Sequence, residues 1–148
     1  MTVQVGAFQD GWSWCRKCEG LYFSGNPTKG HCPAGGAHSN LGSGLYRLVL
    51  VGPGQENWRW CHKCEGLFFF GSVNFGRCPA GTVHDPFGSA DYVLEQNALF
   101  AQISKQAGWR WCRKCQGLFF GQNLTNGRCP SGGAHDPSQS GDYNLLHL

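Results

Sequence analysis

The chain has 148 residues and a formal net charge of +3, a charge too small to identify a nucleic-acid-binding protein by itself. Its 23 glycines, six tryptophans and ten phenylalanines favour turn-rich β structure with aromatic packing over a helical bundle. No apolar run is long enough to predict a membrane span. Because the N-terminus has neither a basic start nor an apolar signal core, we expect the protein to be cytoplasmic, or exported by a non-classical route.

One short segment occurs three times and organises the whole chain. Its copies begin at Trp12, Trp58 and Trp109, and each reads Trp-x-Trp-Cys-x-Lys-Cys-x-Gly-Leu-x-Phe. From that tryptophan onward the copies align without a gap, and insertions fall only between them, where linkers belong. The sequence therefore predicts a single domain over 1–148, with repeats at approximately 8–51, 54–97 and 105–148.

Each repeat is predicted to contain four short strands. In the first repeat, residues 12–14 and 21–23 show the period of two that is typical of strands. A short third strand is expected around 30–32, turned back from the second by a Ser-Gly-Asn-Pro turn, and a fourth at 46–50. The linker 95–105 is the one candidate for a turn or two of helix.

The two ends of the chain complement each other. The start, 2–12, resembles the late part of the linker at 50–58, and the last segment, 143–148, stops early in what would be the next linker. Head and tail together make a third linker, as in a ring that has been cut open. This pattern favours a closed ring of repeats over independent beads.

Each repeat also places three cysteines and a histidine at fixed spacings. A Cys-x-x-Cys pair is followed after thirteen residues by a third cysteine, and after five more by a histidine. Zinc takes four such ligands in a tetrahedron. A total of nine cysteines, three in each repeat, argues against an all-disulfide scheme. A redox pair would not need the third cysteine, and histidine as fourth ligand makes an iron–sulfur cluster a poorer fit.

The sequence thus predicts three structural zinc ions per chain. The predicted ligands are Cys15, Cys18, Cys32 and His38; Cys61, Cys64, Cys78 and His84; and Cys112, Cys115, Cys129 and His135. The basic pair inside each Cys-x-x-Cys loop, such as Arg16-Lys17, is expected to offset the negative charge of a zinc bound to three thiolates. A phosphate-reading role for these cations is the less favoured interpretation.

The repeated motif, with its Cys-Pro-x-Gly-x-x-His ending, resembles a tandem zinc-binding repeat of largely uncharacterised microbial proteins. That resemblance covers nearly the whole chain and implies zinc and repetition, not an activity. Three four-stranded repeats in a closed ring also resemble a β-trefoil, in which the outer strands of each repeat form a barrel and the middle two cap it. We therefore predict an all-β, pseudo-threefold β-trefoil with one Cys3His site per repeat. Three tandem zinc ribbons are the alternative.

The trefoil architecture is similar to that of lectins, and it implies a non-catalytic binding module for carbohydrate, with up to three sites. The predicted contacts are Tyr22, Phe68 and Phe119, expected to face outward by strand alternation, together with Asp85 and Asp136. The two aspartates lie in His-Asp-Pro turns, where turn capping is the default role. Nucleic-acid binding and a structural or protein-interaction role are the alternatives. An enzyme is the least favoured reading, because four protein ligands leave no open position on zinc.

Overall fold

The computed structural model describes residues 8–72, 74–96 and 105–147. Within these ranges the regular structure is β only. No helix capable of crossing a bilayer is found among the described residues. The strands are β1 (Phe8–Trp14), β2 (Leu21–Phe23), β3 (Tyr46–Val49), β4 (Gln55–Trp60), β5 (Leu67–Phe69), β6 (Tyr92–Gln96), β7 (Lys105–Trp111), β8 (Leu118–Phe120) and β9 (Tyr143–His147).

Each repeat contributes three strands in the same order. The first strand pairs antiparallel with both others, so that Trp12 lies opposite Phe23 in β2 and Tyr46 in β3. The segment expected to form a further strand around 30–32 is a loop instead. Cys32 closes a turn with the residues after it: Cys32 N donates to Gly36 O at 2.8 Å, and Gly35 N donates to Cys32 O at 2.9 Å. The all-β prediction is confirmed, but each repeat has three strands rather than four.

Strand pairing joins the repeats at both ends of the molecule. At one end β3, β6 and β9 pair with one another in turn, through Tyr46 with His147, Val49 with Val93, and Gln96 with Tyr143. At the other end β2, β5 and β8 meet through the bridges Gly20 with Phe119, Tyr22 with Gly66, and Phe68 with Gly117. The result is a nearly closed, barrel-like sheet with approximate threefold symmetry.

The ends of the described chain meet on one strand. β1 pairs with β3 along one edge, and β9 pairs with β3 along the other. This arrangement agrees with the ring that the sequence indicated. Of the linker 95–105, only the ends are described, where Lys105 Nζ donates to Glu95 Oε1 at 2.8 Å. The predicted helical turns lie outside the described residues, as does the head of the chain.

The core draws on all three repeats equally. Each repeat supplies a Trp, a Leu from its short strand, and a Tyr and a Leu from its last strand, all at most 3% exposed. They are Trp12, Leu21, Tyr46, Leu48, Trp58, Leu67, Tyr92, Leu94, Trp109, Leu118, Tyr143 and Leu145. The second tryptophan of each motif, such as Trp14, is only partly buried against this cluster. It therefore lies at the rim of the core.

Candidate metal centres

The first two ligands of each repeat come from a tight turn that follows the first strand. In repeat 1, Cys15 N donates to Gly20 O at 2.9 Å and Glu19 N donates to Cys15 O at 2.8 Å, which closes the turn. Gly20 N also points at Cys18 Sγ, at 3.4 Å. Amide donors of this kind favour the thiolate form of a cysteine, the form that binds metal.

The other two ligands come from the glycine-rich loop 32–38, which is fastened to the first turn. Lys17 Nζ donates to the carbonyls of Gly35 and Ala37, each at 2.6 Å. Lys63 and Lys114 make the same pair of contacts in their own repeats. The lysine of the Cys-x-Lys-Cys motif therefore ties the two ligand-bearing loops together, besides placing a positive charge beside the thiolates.

The four ligand atoms in each repeat have the spacing of a tetrahedral zinc site. They are buried and lie within 4.8 Å of one another. In repeat 1, Cys15 Sγ is 3.8 Å from Cys32 Sγ, and Cys18 Sγ is 3.7 Å from His38 Nδ1. A tetrahedron with Zn–S of about 2.3 Å and Zn–N of about 2.0–2.1 Å has edges of about 3.8 Å between sulfurs and about 3.5–3.6 Å between sulfur and nitrogen.

Repeats 2 and 3 show the same spacing. The corresponding sulfur–sulfur distances are 3.8 and 3.9 Å, and the sulfur–nitrogen distances are 3.6 and 3.5 Å. A disulfide would need sulfurs about 2.05 Å apart, and all nine cysteines are free. The three sites therefore fit three structural zinc ions per chain, as the sequence predicted.

The thiols of one site cannot all ionise on their own. Contacts with Cys18 and then Cys32 hold the pKa of Cys15 far below its usual range, whereas contacts with Cys15 and Cys32 raise the pKa of Cys18 well above it. The same opposition recurs in the other repeats. A divalent cation removes the conflict, because its charge favours the thiolate at all three positions.

The ligand histidines connect the three centres in a ring. Each histidine turns Nδ1 towards the sulfurs, so its Nε2 carries the hydrogen. Nε2 lies 3.1 Å from the carbonyl oxygen of the second ligand cysteine in the next repeat: His38 from Cys64, His84 from Cys115, and His135 from Cys18. A ligand histidine that donates to a carbonyl is held in one tautomer and one orientation. Each centre is thus oriented by its neighbour.

The backbone of each repeat passes so close to these cysteine carbonyls of the next repeat that a glycine is required at the point of contact. Gly30 has a φ of 68°, and a Cβ added there would lie 2.1 Å from the Cys64 oxygen. Gly76 and Gly127 stand in the same relation to the oxygens of Cys115 and Cys18. Only glycine lets the loop pass this close to the next repeat.

The aromatic residues predicted to face outward are buried beneath the metal centres. Tyr22, Phe68 and Phe119 are each 0% exposed. Their rings stack on the ligand histidines, with centroids 4.5, 4.7 and 4.7 Å apart. The predicted exposure was wrong, because the ligand-bearing loops of each repeat, which we call the zinc loops (15–20 and 32–38 in repeat 1), cover the face of the second strand that points away from the barrel core. These three side chains are therefore unable to meet a ligand at the surface.

The two candidate aspartates are at the surface and cap turns. Asp85 Oδ1 accepts from Phe87 N at 3.0 Å, and Asp136 Oδ1 accepts from Ser138 N at 2.9 Å. The hydrogen bonds from Ser138 lower the pKa of Asp136. This geometry agrees with the turn-capping role. Contact of either aspartate with a sugar stays a prediction.

Sequence reasoning missed the residue that follows the second ligand cysteine. Glu65 accepts from Trp60 Nε1 at 2.7 Å and from Asn26 Nδ2 at 3.0 and 3.1 Å, and so links two repeats. The other junctions repeat this bridge, with Glu19 between Trp14 and Asn123, and Gln116 between Trp111 and Ser72. All three bridging residues have a positive φ, which favours glycine. A long polar side chain recurring beside the metal ligands was the available signal.

A groove lies at the junction of repeats 1 and 2, and we call it groove 1. Its volume is about 310 Å³, and it is lined by Gln9, Phe23, Asn26, Trp60, Gly88, Ala90 and Tyr92. In the alignment of the repeats, the residues equivalent to Phe23, Trp60 and Tyr92 are Phe69, Trp111 and Tyr143 at the second junction, and Phe120, Trp14 and Tyr46 at the third. At each junction the tyrosine hydroxyl donates to a glutamine of the preceding repeat: Tyr92 to Gln9, Tyr143 to Gln55, and Tyr46 to Gln106.

No protein-family model, curated protein or solved structure matches this chain. The three Cys3His clusters of the chain itself are consistent with a tandem zinc-binding repeat.

Proposed function

We propose that the protein is a non-catalytic, zinc-stabilised module that binds carbohydrate in the grooves between its repeats. The observation that carries the proposal is groove 1, where the partly buried indole of Trp60 stands beside the polar side chain of Asn26. An indole and hydrogen-bonding groups around one concave surface are what a sugar requires, since a pyranose has apolar C–H faces and a rim of hydroxyls.

One polar atom in groove 1, Asn26 Oδ1, can accept a hydrogen bond from a sugar hydroxyl. A carboxylate only accepts hydrogen bonds, so Asn26 must present Nδ2 to Glu65. Within the described residues, Asn26 Oδ1 has no protein donor, and it is available to accept from a hydroxyl. Glu65 also fixes the Trp60 ring through Nε1, at 2.7 Å, so the stacking surface is held before a ligand arrives.

The metal has a structural role in this proposal. Three cysteines and a histidine fill the tetrahedral positions of each zinc, which leaves no place for a reactive water. The zinc loops instead hold the repeats in register through the histidine–carbonyl contacts.

The proposal extends to the architecture, a single-domain β-trefoil in which a zinc loop takes the place of the third strand of each repeat. Three grooves on one module would raise avidity for a repetitive glycan.

The test is a glycan panel beside a nucleic-acid panel, each at about 0.05 and 0.5 M salt, with the zinc-loaded protein. The proposal expects binding to one class of oligosaccharide with nearly the same affinity at both salt concentrations, because sugar contacts displace no counterions. Binding to nucleic acid alone, with a steep loss at the higher salt, would replace it with the alternative function. An absence of glycan binding at both salts would also overturn it.

A further inference from the structure

We infer that the protein has a second binding site, separate from groove 1, which takes a tetrahedral oxyanion, a phosphate or sulfate group, at the junction of repeats 2 and 3. This inference goes beyond the proposed function and does not depend on sugar binding.

A cavity of about 280 Å³ lies at this junction, and we call it the Arg77 cavity. Two of its lining residues are cations and none is a carboxylate. All nine Asp and Glu residues lie in the described ranges, and their ion pairs include neither Arg77 nor Lys114. The positive charge of the cavity is therefore available to an anion. Its lining residues are Asn74, Gly76, Arg77, Thr82 and Val83 of repeat 2, and Lys114 of repeat 3.

The close contact between the two repeats brings the two cations to the same cavity. A Cβ added at Gly76 would lie 2.1 Å from the Cys115 oxygen, so the backbone of repeat 2 touches repeat 3 at this point. Arg77 follows that glycine in the chain, and Lys114 precedes that cysteine. A backbone bridge between Arg77 and Val83 fixes the other wall of the cavity. The backbone around the site is thus held before a ligand arrives, which lowers the cost of binding.

Three side chains offer hydrogen-bond donors to the cavity. Asn74 Oδ1 accepts from Gly76 N at 2.9 Å, and its Nδ2 has no acceptor among the described residues. The exposed guanidinium of Arg77 likewise makes no hydrogen bond in the described part of the chain. Lys114 Nζ donates to two carbonyl oxygens of its own repeat, at 2.6 and 2.9 Å, and keeps a third hydrogen. The planar fork of an arginine matches two oxygens of a phosphate or sulfate group.

The hydroxyl of Thr82 is held at the cavity by an unfavourable backbone conformation. Thr82 has a φ of 54°, which is rare for a β-branched residue, and the equivalent residues are Gly36 and Gly133. Thr82 Oγ1 accepts from Lys63 Nζ at 3.0 Å, so its own hydrogen is free for an anion. Strained residues cluster at binding sites, and the strain at Thr82 agrees with a functional role for this hydroxyl.

The full set of donors occurs in repeat 2 alone. At the positions of Asn74, Arg77 and Thr82, repeat 1 has Thr28, His31 and Gly36, and repeat 3 has Thr125, Arg128 and Gly133. The lysine is common to all three repeats. We therefore expect one oxyanion site of this composition per chain.

The experiment records ¹H–¹⁵N NMR spectra of the labelled, zinc-loaded full chain during titration with sodium phosphate and, separately, sodium sulfate. Sodium chloride holds the ionic strength constant, so that general screening does not change. We expect saturable shifts confined to the backbone amides around Asn74, Arg77, Thr82 and Lys114.

Two variants and a control test the donors. Arg77→Ala should weaken binding by about tenfold, because a charge-assisted hydrogen-bonding group is lost. Thr82→Gly, which introduces the residue of repeats 1 and 3, should weaken it by about threefold. Arg16→Ala is the matched control and should leave binding unchanged, because it removes the same charge from an exposed arginine that is in no ion pair and outside the cavity. All three side chains are exposed, so each variant should melt like the parent.

Tighter binding of phosphate or of sulfate supports the inference and identifies the group that the site prefers. No saturable shift with either ion, shifts spread over the whole protein, or equal losses in Arg77→Ala and Arg16→Ala would overturn it. None of these results bears on groove 1, which the glycan panel tests by itself.

Discussion

Replacing Gly30 with alanine tests whether the zinc loops really lock neighbouring repeats together. Gly30 and Gly36 both lie between β2 and β3 and have nearly equal φ values, 68° and 65°. An alanine at either position meets the same backbone cost, about 1–2 kcal/mol. Their neighbours differ: a Cβ at Gly30 would lie 2.1 Å from the Cys64 oxygen, whereas a Cβ at Gly36 would lie 3.8 Å from Lys17 Nζ, an ordinary contact.

The difference between the two variants therefore isolates the contact between repeats. Overpacking against a fixed backbone costs about 1–3 kcal/mol more, so Gly30→Ala should lower the free energy of unfolding by about 2–5 kcal/mol in total. Gly36→Ala should lower it only by the backbone cost. The assay is urea unfolding of the zinc-loaded protein, followed by far-UV circular dichroism. Equal losses in the two variants would refute the idea that this loop is held against the next repeat.

Three further predictions follow from the same geometry. Cys64→Ser should destabilise the whole chain and leave one melting transition in calorimetry, because all three repeats share one core; loss of one transition out of several would contradict this. Glu65→Gln should leave the stability nearly unchanged, since Gln116 already forms the same bridge at another junction. Glu65→Ala should lower the free energy of unfolding by about 1–3 kcal/mol, because the Trp60 and Asn26 donors lose their acceptor. Equal melting temperatures for the two variants would contradict the bridge. Acid should release zinc and unfold the protein. Protons compete with zinc for the thiolates and the imidazole of each site, so a chromogenic chelator should record zinc release together with unfolding as the pH falls.

The metal ligands could be predicted because their pattern is local and occurs three times. A Cys-x-x-Cys turn fixes two sulfurs by itself, and the shared register of three copies identifies the remaining ligands. The all-β class could be predicted from the high content of glycine and aromatic residues. The ring predicted from the sequence agrees with the pairing of β1 and β9, the first and last described strands, with β3.

The aromatic residues were misassigned because strand alternation shows which side chains share a face but not what covers that face. Tyr22 does point away from the barrel core, yet the ligand loop of its own repeat closes over it and His38 stacks on its ring. The expected strand at 30–32 is absent, and the Cys32 amide donates to Gly36 O inside the ligand loop rather than to a partner strand. A loop that must wrap a metal overrides a local strand pattern.

Contacts between repeats were beyond the reach of local patterns. The hydrogen bond from His38 Nε2 to the Cys64 oxygen spans 26 residues, and that from His135 Nε2 to the Cys18 oxygen spans 117. The bridges at Glu19 and Glu65 likewise join side chains from different repeats. The grooves that these bridges create, and hence the proposed sugar site, become visible only when the ring is closed.

Zinc content tests the central claim most directly. The protein should be purified without added metal and without chelator, and its metals measured by inductively coupled plasma mass spectrometry alongside native mass spectrometry of the intact chain. Three Cys3His sites predict three zinc ions per chain and nine free thiols after metal removal under denaturing conditions. A zinc content near zero, together with cysteine–cysteine disulfides mapped by peptide analysis, would contradict the account.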